Sequence, residues 1–340
     1  MEKPKIIAIV GPTASGKSSL GIWLAKKLGG DIISADSRQV YKGLDIGTGK
    51  VTKKEMAGVP HHLLSVASPK KQFTVDDFVK KSEVAITTTI YRSSLPIVVG
   101  GTGLYVDMLL GRMSYPNVPP NAELREQLER RTTKQLFAQL QRLDPRRVAN
   151  IEPHHKRRLV RAIEVARGLK TKPMLQSAPR RSGRGKYDTL WLGLSPAPEK
   201  LKKNIRMRLF ARIRAGMIAE AKRLHKAGLS YKRMAELGLE YRSLALLLRK
   251  QPRRKVGAPT KASGNITKQE FETQLERAIW QYSKRQMRWF KRNKDIRWVS
   301  GKAEALRLSK KFLGGPTRTR TWKSSFGERQ FTIELMDPWA

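Results

Sequence analysis

The stretch GPTASGKS at residues 11–18 holds the residue types that bind a chain of phosphates. The pattern G-x-x-x-x-G-K-[ST] is completed by Gly11, Gly16, Lys17 and Ser18. Glycines at these positions let backbone N–H groups approach phosphate oxygens, and the start of a helix adds a partial positive charge. We expect Lys17 to neutralise the outer phosphate and the Ser18 hydroxyl to ligate Mg²⁺. The motif therefore predicts a phosphate chain with a metal ion and leaves the rest of the ligand open.

Asp36 is the second residue of chemical interest, because it follows the apolar run IISA and opens the segment DSRQVY. A kinase or GTPase with this P-loop needs an acid at the end of a buried strand for its Mg²⁺ shell, and LPIVVGG at 95–101 contains none. An acid at the carboxyl end of a strand beside a P-loop faces the crevice where open α/β sheets bind ligands. Asp36 is therefore predicted either as a catalytic base or substrate acceptor, or as a helix cap or outer-sphere ligand of Mg²⁺. Gln39, close by, carries an amide that can pair with adenine.

Two further features each allow two interpretations, and a third argues against a zinc site. The segment GGTGLY indicates either tight packing of its glycines or a Thr102 hydroxyl that faces the crevice. Arg158 and Arg161 lie about one helical turn apart, either on a solvated face or against the phosphates of a nucleic acid. The His-His pairs at 61–62 and 154–155 have no carboxylates at metal-ligand spacing, so a zinc site is not predicted.

The elements that carry these residues alternate between strand and helix. Buried strands are predicted for three apolar runs, at residues 5–11, 31–37 and 95–101. Helical spacing predicts one helix from residue 17 to the Gly-Gly pair at 29–30 and another over 73–94. This alternation predicts an α/β fold with a parallel sheet, of the kind found in P-loop NTPases.

The composition of the sequence and its predicted elements change near residue 112. A proline-rich linker is followed by leucines at intervals near four, which predict helices, and then by the basic stretch SAPRRSGRGK. The segment YDTLWLGLSP resumes a core strand, and a basic amphipathic helix is predicted over 267–293. We therefore predict a catalytic core at 1–111 and 187–305, a helical insertion domain at 112–186, and a tail of unassigned structure at 306–340.

The charge and the cysteine count narrow the class of protein. The chain has 70 Lys and Arg residues against 28 Asp and Glu, a net charge of +42. A field of that sign attracts polyanions, of which nucleic acid is the commonest in a cell. The sequence contains no cysteine, which excludes disulfides and thiolate sites. No apolar segment approaches the roughly 18 residues of a membrane span, so we expect a cytoplasmic enzyme or nucleic-acid binder with no membrane partner.

Several motifs together resemble one family, the tRNA dimethylallyltransferases, also called bacterial-type tRNA isopentenyltransferases. They occur in the family's order over most of residues 5–300 and are GPTASGKS (11–18), DSRQVYKGLDIGTGK (36–50), GVPHHLL (58–64), FTVDDF (73–78), IVVGGTGLYVDMLLG (97–111), RRLVRAIEV (157–165) and QYSKRQMRWFKR (281–292). A P-loop alone is a weak motif, but followed by DSRQVY and GGTGLY at these spacings it is highly specific.

The resemblance implies transfer of a dimethylallyl group from dimethylallyl diphosphate to N6 of the adenosine 3′-adjacent to the anticodon, in tRNAs that read codons beginning with U. It implies that the P-loop holds the diphosphate of the prenyl donor with Mg²⁺, and not ATP. A carboxylate that accepts an N–H hydrogen bond makes the N6 amine a better nucleophile, so Asp36 is the expected base. The adenosine must leave its stack to enter the site. The positive charge suits a tRNA backbone, and we expect a monomer.

By position, the resemblance implies three groups of site residues. The catalytic group is Asp36, Thr102 and Lys17. The group that binds the diphosphate donor is Gly11, Pro12, Thr13, Ala14, Ser15, Gly16, Lys17 and Ser18, with Arg208 as a further cation and Ser18 as the metal ligand. The group that contacts tRNA is Asp36, Ser37, Arg38, Gln39, Thr102, Arg125, Arg157, Arg158, Leu159, Val160 and Arg161.

Three positions depart from the family pattern, and two other functions stay open. Ser18 replaces a more frequent Thr, Ser65 stands where an Asp often follows HHL, and Phe210 stands where an acid is common. One alternative is a P-loop kinase that uses ATP on a small molecule or nucleic acid, against which the missing strand-terminal acid counts. The other is a non-catalytic RNA-binding protein with a relic P-loop, against which the intact P-loop and Asp36 count.

Overall fold

A computed structural model of the chain describes residues 2–114, 116, 118–169, 185–249 and 267–314. The predictions for most of the basic stretch at 177–186, for the loop at 250–266 and for the tail beyond 314 lie outside these residues. The chain divides into two compact units, Met1–Leu110 with Lys186–Ala340, and Gly111–Gly185. The insertion predicted at 112–186 differs from the second unit by one residue at each end.

The first unit is built on a parallel sheet. Its described strands are β1 (Lys5–Val10), β2 (Gly30–Ser34), β3 (His61–His62), β4 (Leu95–Gly100), β5 (Asp188–Gly193) and β6 (Arg297–Trp298), in the order β3-β2-β4-β1-β5-β6. β1 lies between β4 and β5, with Ile7 in register with both Ile97 and Leu190. A central strand is covered on both faces, which explains why all its residues after Lys5 are apolar and buried. The predicted α/β fold with a parallel sheet is confirmed.

Helices connect and cover these strands. Before the insertion they are α1 (Lys17–Leu28), α2 (Lys53–Met56), α3 (Val75–Tyr91) and α4 (Gly103–Leu109). Within the insertion they are α5 (Ala122–Glu129), α6 (Thr133–Leu143), α7 (Pro145–Val148) and α8 (Lys156–Gly168). After it the described helices are α9 (Pro198–Arg214), α10 (Met217–Lys226), α11 (Tyr231–Glu236), α12 (Leu239–Leu248), α13 (Lys268–Phe290) and α14 (Lys302–Leu313).

Local residues begin and end these helices as the sequence predicts. α1 ends at Leu28, and Gly29 follows in the left-handed region with φ 64. α3 begins after Thr74, whose hydroxyl accepts from the N–H of Asp77 while the Asp77 carboxylate accepts from the N–H of Thr74. This reciprocal capping box satisfies two N–H groups that the helix itself cannot pair.

Apolar side chains fill both faces of the sheet. On one face Ile6 of β1 packs with Phe78 of α3 and Tyr105 of α4, whose two rings stack with centroids 4.2 Å apart. On the other face Ile7 packs with Leu24 of α1. Each fully buried large apolar side chain contributes about 1.5–3 kcal/mol to folding. The sheet is therefore a rigid base for the loops at the carboxyl ends of β1, β2 and β4, which lie at one edge because neighbouring strands are parallel.

One predicted boundary is wrong. Residues 306–313 were expected to have no assigned structure, yet they belong to α14. Ala305 and Ser309 are fully buried, and Leu308 and Phe312 pack on the core beside α1. The small residues at 305 and 309 let this helix lie close to its neighbours, and they weaken the apolar pattern on which the prediction depended.

The second unit has its own core, formed by described residues of α5, α6 and α8. Leu128, Leu136, Leu140, Leu159 and Ile163 are at its centre. The predicted leucine stripe is divided between two helices, because Thr132 caps α6 with a second capping box and starts a new helix.

Candidate active site

The P-loop follows β1 and ends at α1. Gly16 has φ 91 and is the N-cap of α1, a conformation that glycine adopts without a steric penalty. A Cβ at Gly11 would lie 2.8 Å from the carbonyl oxygen of Leu194, so only glycine fits there. No side chain caps α1, which leaves the first N–H groups of this helix available to an anion.

The P-loop residues fit a diphosphate with a metal ion. The Ser15 hydroxyl is buried and has no hydrogen-bond partner among the described residues, a condition that a phosphate oxygen would relieve. The Ser18 hydroxyl is on the first turn of α1, where P-loop proteins hold Mg²⁺. Within the described residues no group of three His, Cys, Asp or Glu side chains could hold a metal ion. Oxygens of a bound diphosphate would be further metal ligands beside the Ser18 hydroxyl.

Lys17 is the central cation of this site. Its ammonium donates a 3.1 Å hydrogen bond to the carbonyl of Pro12. Burial lowers the pKa of Lys17 to about 8, Asp36 raises it, and Arg208 lowers it further. These effects place Asp36 and Arg208 within electrostatic reach of Lys17. A phosphate at this position would stabilise the charged form of the lysine.

Asp36 lies just beyond β2 and is half-buried. Its Oδ1 accepts hydrogen bonds from the N–H groups of Arg38 at 2.8 Å and Gln39 at 3.3 Å. Among the described residues no helix begins directly after Asp36, so the predicted helix cap is not formed; these contacts close a turn at residues 36–39 and hold the carboxylate in one orientation. Within the described residues Oδ2 has no hydrogen-bond partner, so this oxygen can accept a proton from a substrate.

Thr102 follows β4 and faces the same edge of the sheet. Its Oγ1 accepts a 3.1 Å hydrogen bond from the N–H of Ser37 and donates to the Ser37 hydroxyl at 3.4 Å. The glycines on either side have no room for a Cβ, because Gly101 lies against Gln286 and Gly103 against Trp289. Both interpretations of GGTGLY therefore apply: the glycines pack tightly, and the hydroxyl reaches the residue next to Asp36.

Arg208, Arg38 and Gln39 surround the loop that follows Asp36. A Cβ at Gly49 would lie 3.4 Å from a terminal nitrogen of Arg208. Packing around the guanidinium lowers the pKa of Arg208, and Arg212 lowers it further, although the side chain keeps solvent access. Arg38 donates to the carbonyl of Glu236 at 3.1 Å, and Gln39 donates to the carbonyl of Gly49 at 3.3 Å.

The loop that follows Asp36 is also held by Glu220, a residue that no sequence motif identified. Its carboxylate is buried and accepts hydrogen bonds from the N–H groups of Asp45, Ile46 and Gly47. It also accepts a 2.5 Å hydrogen bond from the Tyr241 hydroxyl. Burial and the Glu220 charge both raise the pKa of Tyr241, so the phenol stays protonated. In the sequence, Glu220 is an ordinary acid within an amphipathic helix, so no local pattern could have identified it.

The basic helix α13 contributes three further side chains whose contacts the sequence did not predict. Tyr282 lies beside the Thr102 side chain, and burial raises the pKa of this phenol to about 12. Gln286 contacts both Thr13 and Gly101. Trp289 donates to the carboxylate of Asp107 at 2.8 Å. The segment QYSKRQMRWF was matched as a motif, but its spacing did not show which side chains face the site.

Two departures from the family pattern have local explanations. Ser65 accepts a 2.7 Å hydrogen bond from Lys50, whose charge is met by Asp45 at 2.6 Å. Asp45 thus supplies a carboxylate close to the position where an Asp at 65 would stand. Phe210 lies under the guanidinium of Arg206, 5.7 Å from the ring centroid.

The arginines of the second unit divide into two sets. Arg125 and Arg161 both pair with Glu164, a carboxylate buried within this unit. Burial opposes the charge on Glu164, but hydrogen bonds from Arg125, the N–H of Asn121 and Arg161 outweigh it and lower the pKa. Arg157 and Arg158 are exposed, and the nearest carboxylate of Glu152 lies 3.8 Å from Arg158. Among these four arginines of the second unit, Arg157 and Arg158 therefore have the charges that are least compensated by a carboxylate.

Two predicted tRNA contacts require correction. Leu159 is 0% exposed and Val160 is 4% exposed, because both face the core of the second unit. We therefore assign their side chains to packing and not to RNA contact. In the stretch RRLVR, Arg157 and Arg158 are exposed and the next two residues are buried, because the stretch lies in an amphipathic helix.

Basic residues also cover the solvent side of α13 and the segment after it. Lys284, Arg285, Arg288, Lys291 and Arg292 are exposed. Arg285 lies over the ring of Tyr282 at 5.7 Å and Arg292 over Trp289 at 5.9 Å, so aromatic and cationic groups alternate on this surface. Within the described residues no helix is both long and apolar enough to cross a membrane.

Comparison with known proteins places the chain in a family. A family model described as IPP transferase matches residues 39–293, and one described as isopentenyl transferase matches residues 4–68. The chain is similar to tRNA dimethylallyltransferase 1 of Geotalea uraniireducens (strain Rf4), with 35% identity over 315 residues that cover 91% of this chain and 96% of that protein. It is also similar to tRNA dimethylallyltransferase 2 of Treponema denticola, with 39% identity over 312 residues that cover 88% of this chain and 96% of that protein.

A solved structure agrees with these matches. The full-length tRNA isopentenylpyrophosphate transferase from Bacillus halodurans is 31% identical and superposes with a TM-score of 0.64, over 92% of this chain and 96% of that one. The matches therefore cover nearly the whole length of these relatives. The P-loop and Asp36 lie within residues 4–68 and Thr102 lies within residues 39–293, the two ranges that the family models match. From its sequence and its fold, the chain belongs to the IPP transferase family.

Proposed function

We propose that this protein transfers a dimethylallyl group from dimethylallyl diphosphate to N6 of the adenosine 3′-adjacent to the anticodon, in tRNAs that read codons beginning with U. The observation that carries the proposal is the placement of Lys17 and Asp36 at one edge of the sheet. The Lys17 ammonium lies 3.4 Å from where a Cβ at Gly101 would stand, and the next residue, Thr102, accepts from the N–H of Ser37 beside Asp36. A cation for a leaving diphosphate and a carboxylate for an incoming amine are the two groups that this reaction needs. The family membership and the net charge of +42 support a tRNA substrate.

The reaction forms a bond between N6 and C1 of the dimethylallyl group and breaks the bond from C1 to the diphosphate oxygen. The electron pair of the broken bond leaves with the diphosphate. Lys17, the P-loop N–H groups and Arg208 stabilise that charge, an effect worth several kcal/mol in comparable sites, about 2.7–4 for one donor. When bound by the Ser18 hydroxyl, Mg²⁺ would supply further neutralisation of the diphosphate.

Asp36 acts on the other substrate. Its Oδ2 accepts the hydrogen bond of the N6 amine and takes the proton as the new bond forms. The two N–H groups that bind Oδ1 keep this carboxylate oriented. Thr102 holds the adjoining Ser37, so the turn that carries Asp36 is tied to the loop after β4.

The tRNA is expected to contact exposed cations. Arg157 and Arg158 in the second unit, together with the exposed basic residues of α13, are suited to phosphate contacts. Ser37, Arg38 and Gln39 follow Asp36 and would meet the nucleotides next to the target adenosine. The cytoplasmic location and the monomeric state stay predictions.

The purified full-length chain tests the proposal directly. It is incubated with unmodified tRNA, Mg²⁺ and labelled dimethylallyl diphosphate, and in parallel with labelled ATP in place of the prenyl donor. We expect label to enter the tRNA from the prenyl donor only. Turnover of ATP without prenyl transfer would overturn the proposal and favour the kinase alternative.

A further inference from the structure

The side-chain amide of Gln286 joins two loops of the site. Its Oε1 accepts a 2.8 Å hydrogen bond from the N–H of Thr13 in the P-loop. Its Nε2 donates a 2.8 Å hydrogen bond to the carbonyl of Gly101 in the loop after β4. Because an N–H can only donate and a carbonyl can only accept, these partners determine which end of the amide faces which loop. Gln286 is 7% exposed; its bond to Gly101 is buried and its bond to Thr13 is partly buried.

The surroundings leave this amide no freedom to move. A Cβ at Gly101 would overlap the Nε2 of Gln286, and it would lie 3.4 Å from the ammonium of Lys17. On the same face of α13, Tyr282 lies beside the Thr102 side chain, and Trp289 packs on Gly103. Gln286 is therefore the middle member of a row of side chains that fastens the whole turn at 101–103.

The two loops that Gln286 joins serve different substrates in the proposed reaction. The P-loop holds the diphosphate, while the loop after β4 carries Thr102, which ties down Ser37 beside Asp36. The relative position of the loops therefore sets the distance between C1 of the donor and N6 of the acceptor. Misplacement of reacting atoms by about 1 Å can cost roughly 10²-fold in rate.

We propose that Gln286 is a positioning residue that fixes the donor loop against the acceptor loop, a role that rests on the proposed prenyl transfer. It acts through Thr13 and Gly101 and touches neither reacting atom. Removal of the amide should therefore slow the chemical step while leaving each substrate bound.

The test compares Gln286→Met and Gln286→Glu with the wild-type chain. Methionine keeps the volume and loses both hydrogen bonds, whereas glutamate keeps an acceptor for the Thr13 N–H and sets a carboxylate oxygen against the Gly101 carbonyl. We expect kcat of the methionine variant to fall about 10²-fold, with KM values for dimethylallyl diphosphate and tRNA nearly unchanged. Gln274→Met is the matched control, because Gln274 is exposed on the same helix, and it should keep wild-type rates.

A second readout separates positioning from loss of folded protein. In a misaligned site, water can attack C1 in place of N6, which releases diphosphate and dimethylallyl alcohol and passes a proton to solvent. We expect the ratio of alcohol to prenylated tRNA to rise in Gln286→Met, whereas partial unfolding would lower both products together. The glutamate variant, which retains one hydrogen bond, should show a smaller rise and serves if the methionine variant is unstable.

The outcomes are distinguishable. If the wild-type chain does not prenylate tRNA, the proposed function fails. If the wild-type chain is active and both variants keep its kcat and its product ratio, the role of Gln286 is refuted. A raised KM for the donor with unchanged kcat would also overturn it, because Gln286 would then act in donor binding.

Discussion

The hydroxyl of Thr102 accepts a 3.1 Å hydrogen bond from the N–H of Ser37, the residue that follows Asp36. These two residues are on the loops after β4 and β2, which are neighbouring strands in the sheet. The bond therefore links the turn that orients Asp36 to the loop that Gln286 fastens to the P-loop.

Asp36→Asn should abolish prenyl transfer while donor-dependent tRNA binding stays nearly unchanged. The amide keeps the volume and can still accept from the N–H groups of Arg38 and Gln39, but it cannot take a proton. General bases contribute about 10²–10⁴-fold, so at least that loss of single-turnover rate is expected. Near-normal rates in this variant would show that another group takes the N6 proton.

Thr102→Val should lower kcat more than it weakens tRNA binding. Valine matches the shape of threonine but leaves the Ser37 N–H without its acceptor, at a cost of about 1–3 kcal/mol. Thr102→Ser keeps the hydroxyl and is the control that should recover most of the rate. If valine and serine behave alike, the hydroxyl has no role beyond packing.

Lys17 predicts a pH dependence of donor binding. In the free protein its pKa is about 8, because burial disfavours the charged form. A bound diphosphate favours the charged form and raises that pKa, so binding above pH 8 must take up a proton. Affinity for dimethylallyl diphosphate should therefore weaken as pH rises above 8, by at most about tenfold per pH unit.

Calorimetry in buffers of different ionisation enthalpy measures this proton uptake. Lys17→Arg stays charged throughout the range, so the difference between the two proteins removes the titration of the ligand itself. Equal proton uptake by both proteins between pH 8 and pH 9 would contradict the low pKa.

Arg157→Ala combined with Arg158→Ala should weaken tRNA binding and reduce its salt dependence. Each lost phosphate contact lowers the slope of log K against log salt by about 0.7–0.9. The salt slope is measured from tRNA binding at several salt concentrations, with an alanine variant of the ion-paired Arg130 as the control. An unchanged slope would show that the two arginines lie on a solvated surface and do not contact tRNA phosphates.

Glu164→Gln should destabilise the protein at neutral pH, because it removes the charge that Arg125 and Arg161 share. The expected loss in free energy of unfolding is about 1–3 kcal/mol. The pKa of Glu164 is lowered in the folded chain, so its stabilising effect is present above its ordinary pKa and disappears as pH falls through the folded value. Denaturant unfolding at pH 7 and near pH 3 should show the two proteins converging at the lower pH, and a constant gap would contradict this account.

The parts of the site that the sequence predicted are those built from local contacts. The P-loop, the strand before it and the Gly29 terminus of α1 each depend on residues within one turn of each other. The same holds for the Thr74 capping box. Asp36 could be placed at the edge of the sheet because the strand before it, β2, ends at Ser34, two residues earlier.

The tertiary structure decided which distant side chains complete the site. Gln286 meets Thr13 across 273 positions of sequence and Gly101 across 185, and Glu220 reaches the Asp45–Gly47 segment across more than 170. No periodicity connects residues that far apart, because their contact depends on how α10 and α13 pack on the sheet. Packing within the second unit buried Leu159 and Val160, and packing beside α1 extended α14 through residues that the sequence left unassigned. The sequence by itself determined the phosphate loop, the alternation of strands and helices, and the family, since these follow from residues that are close together in the chain. The positions of the two substrate-binding loops relative to each other depend on long-range hydrogen bonds that only the folded chain makes.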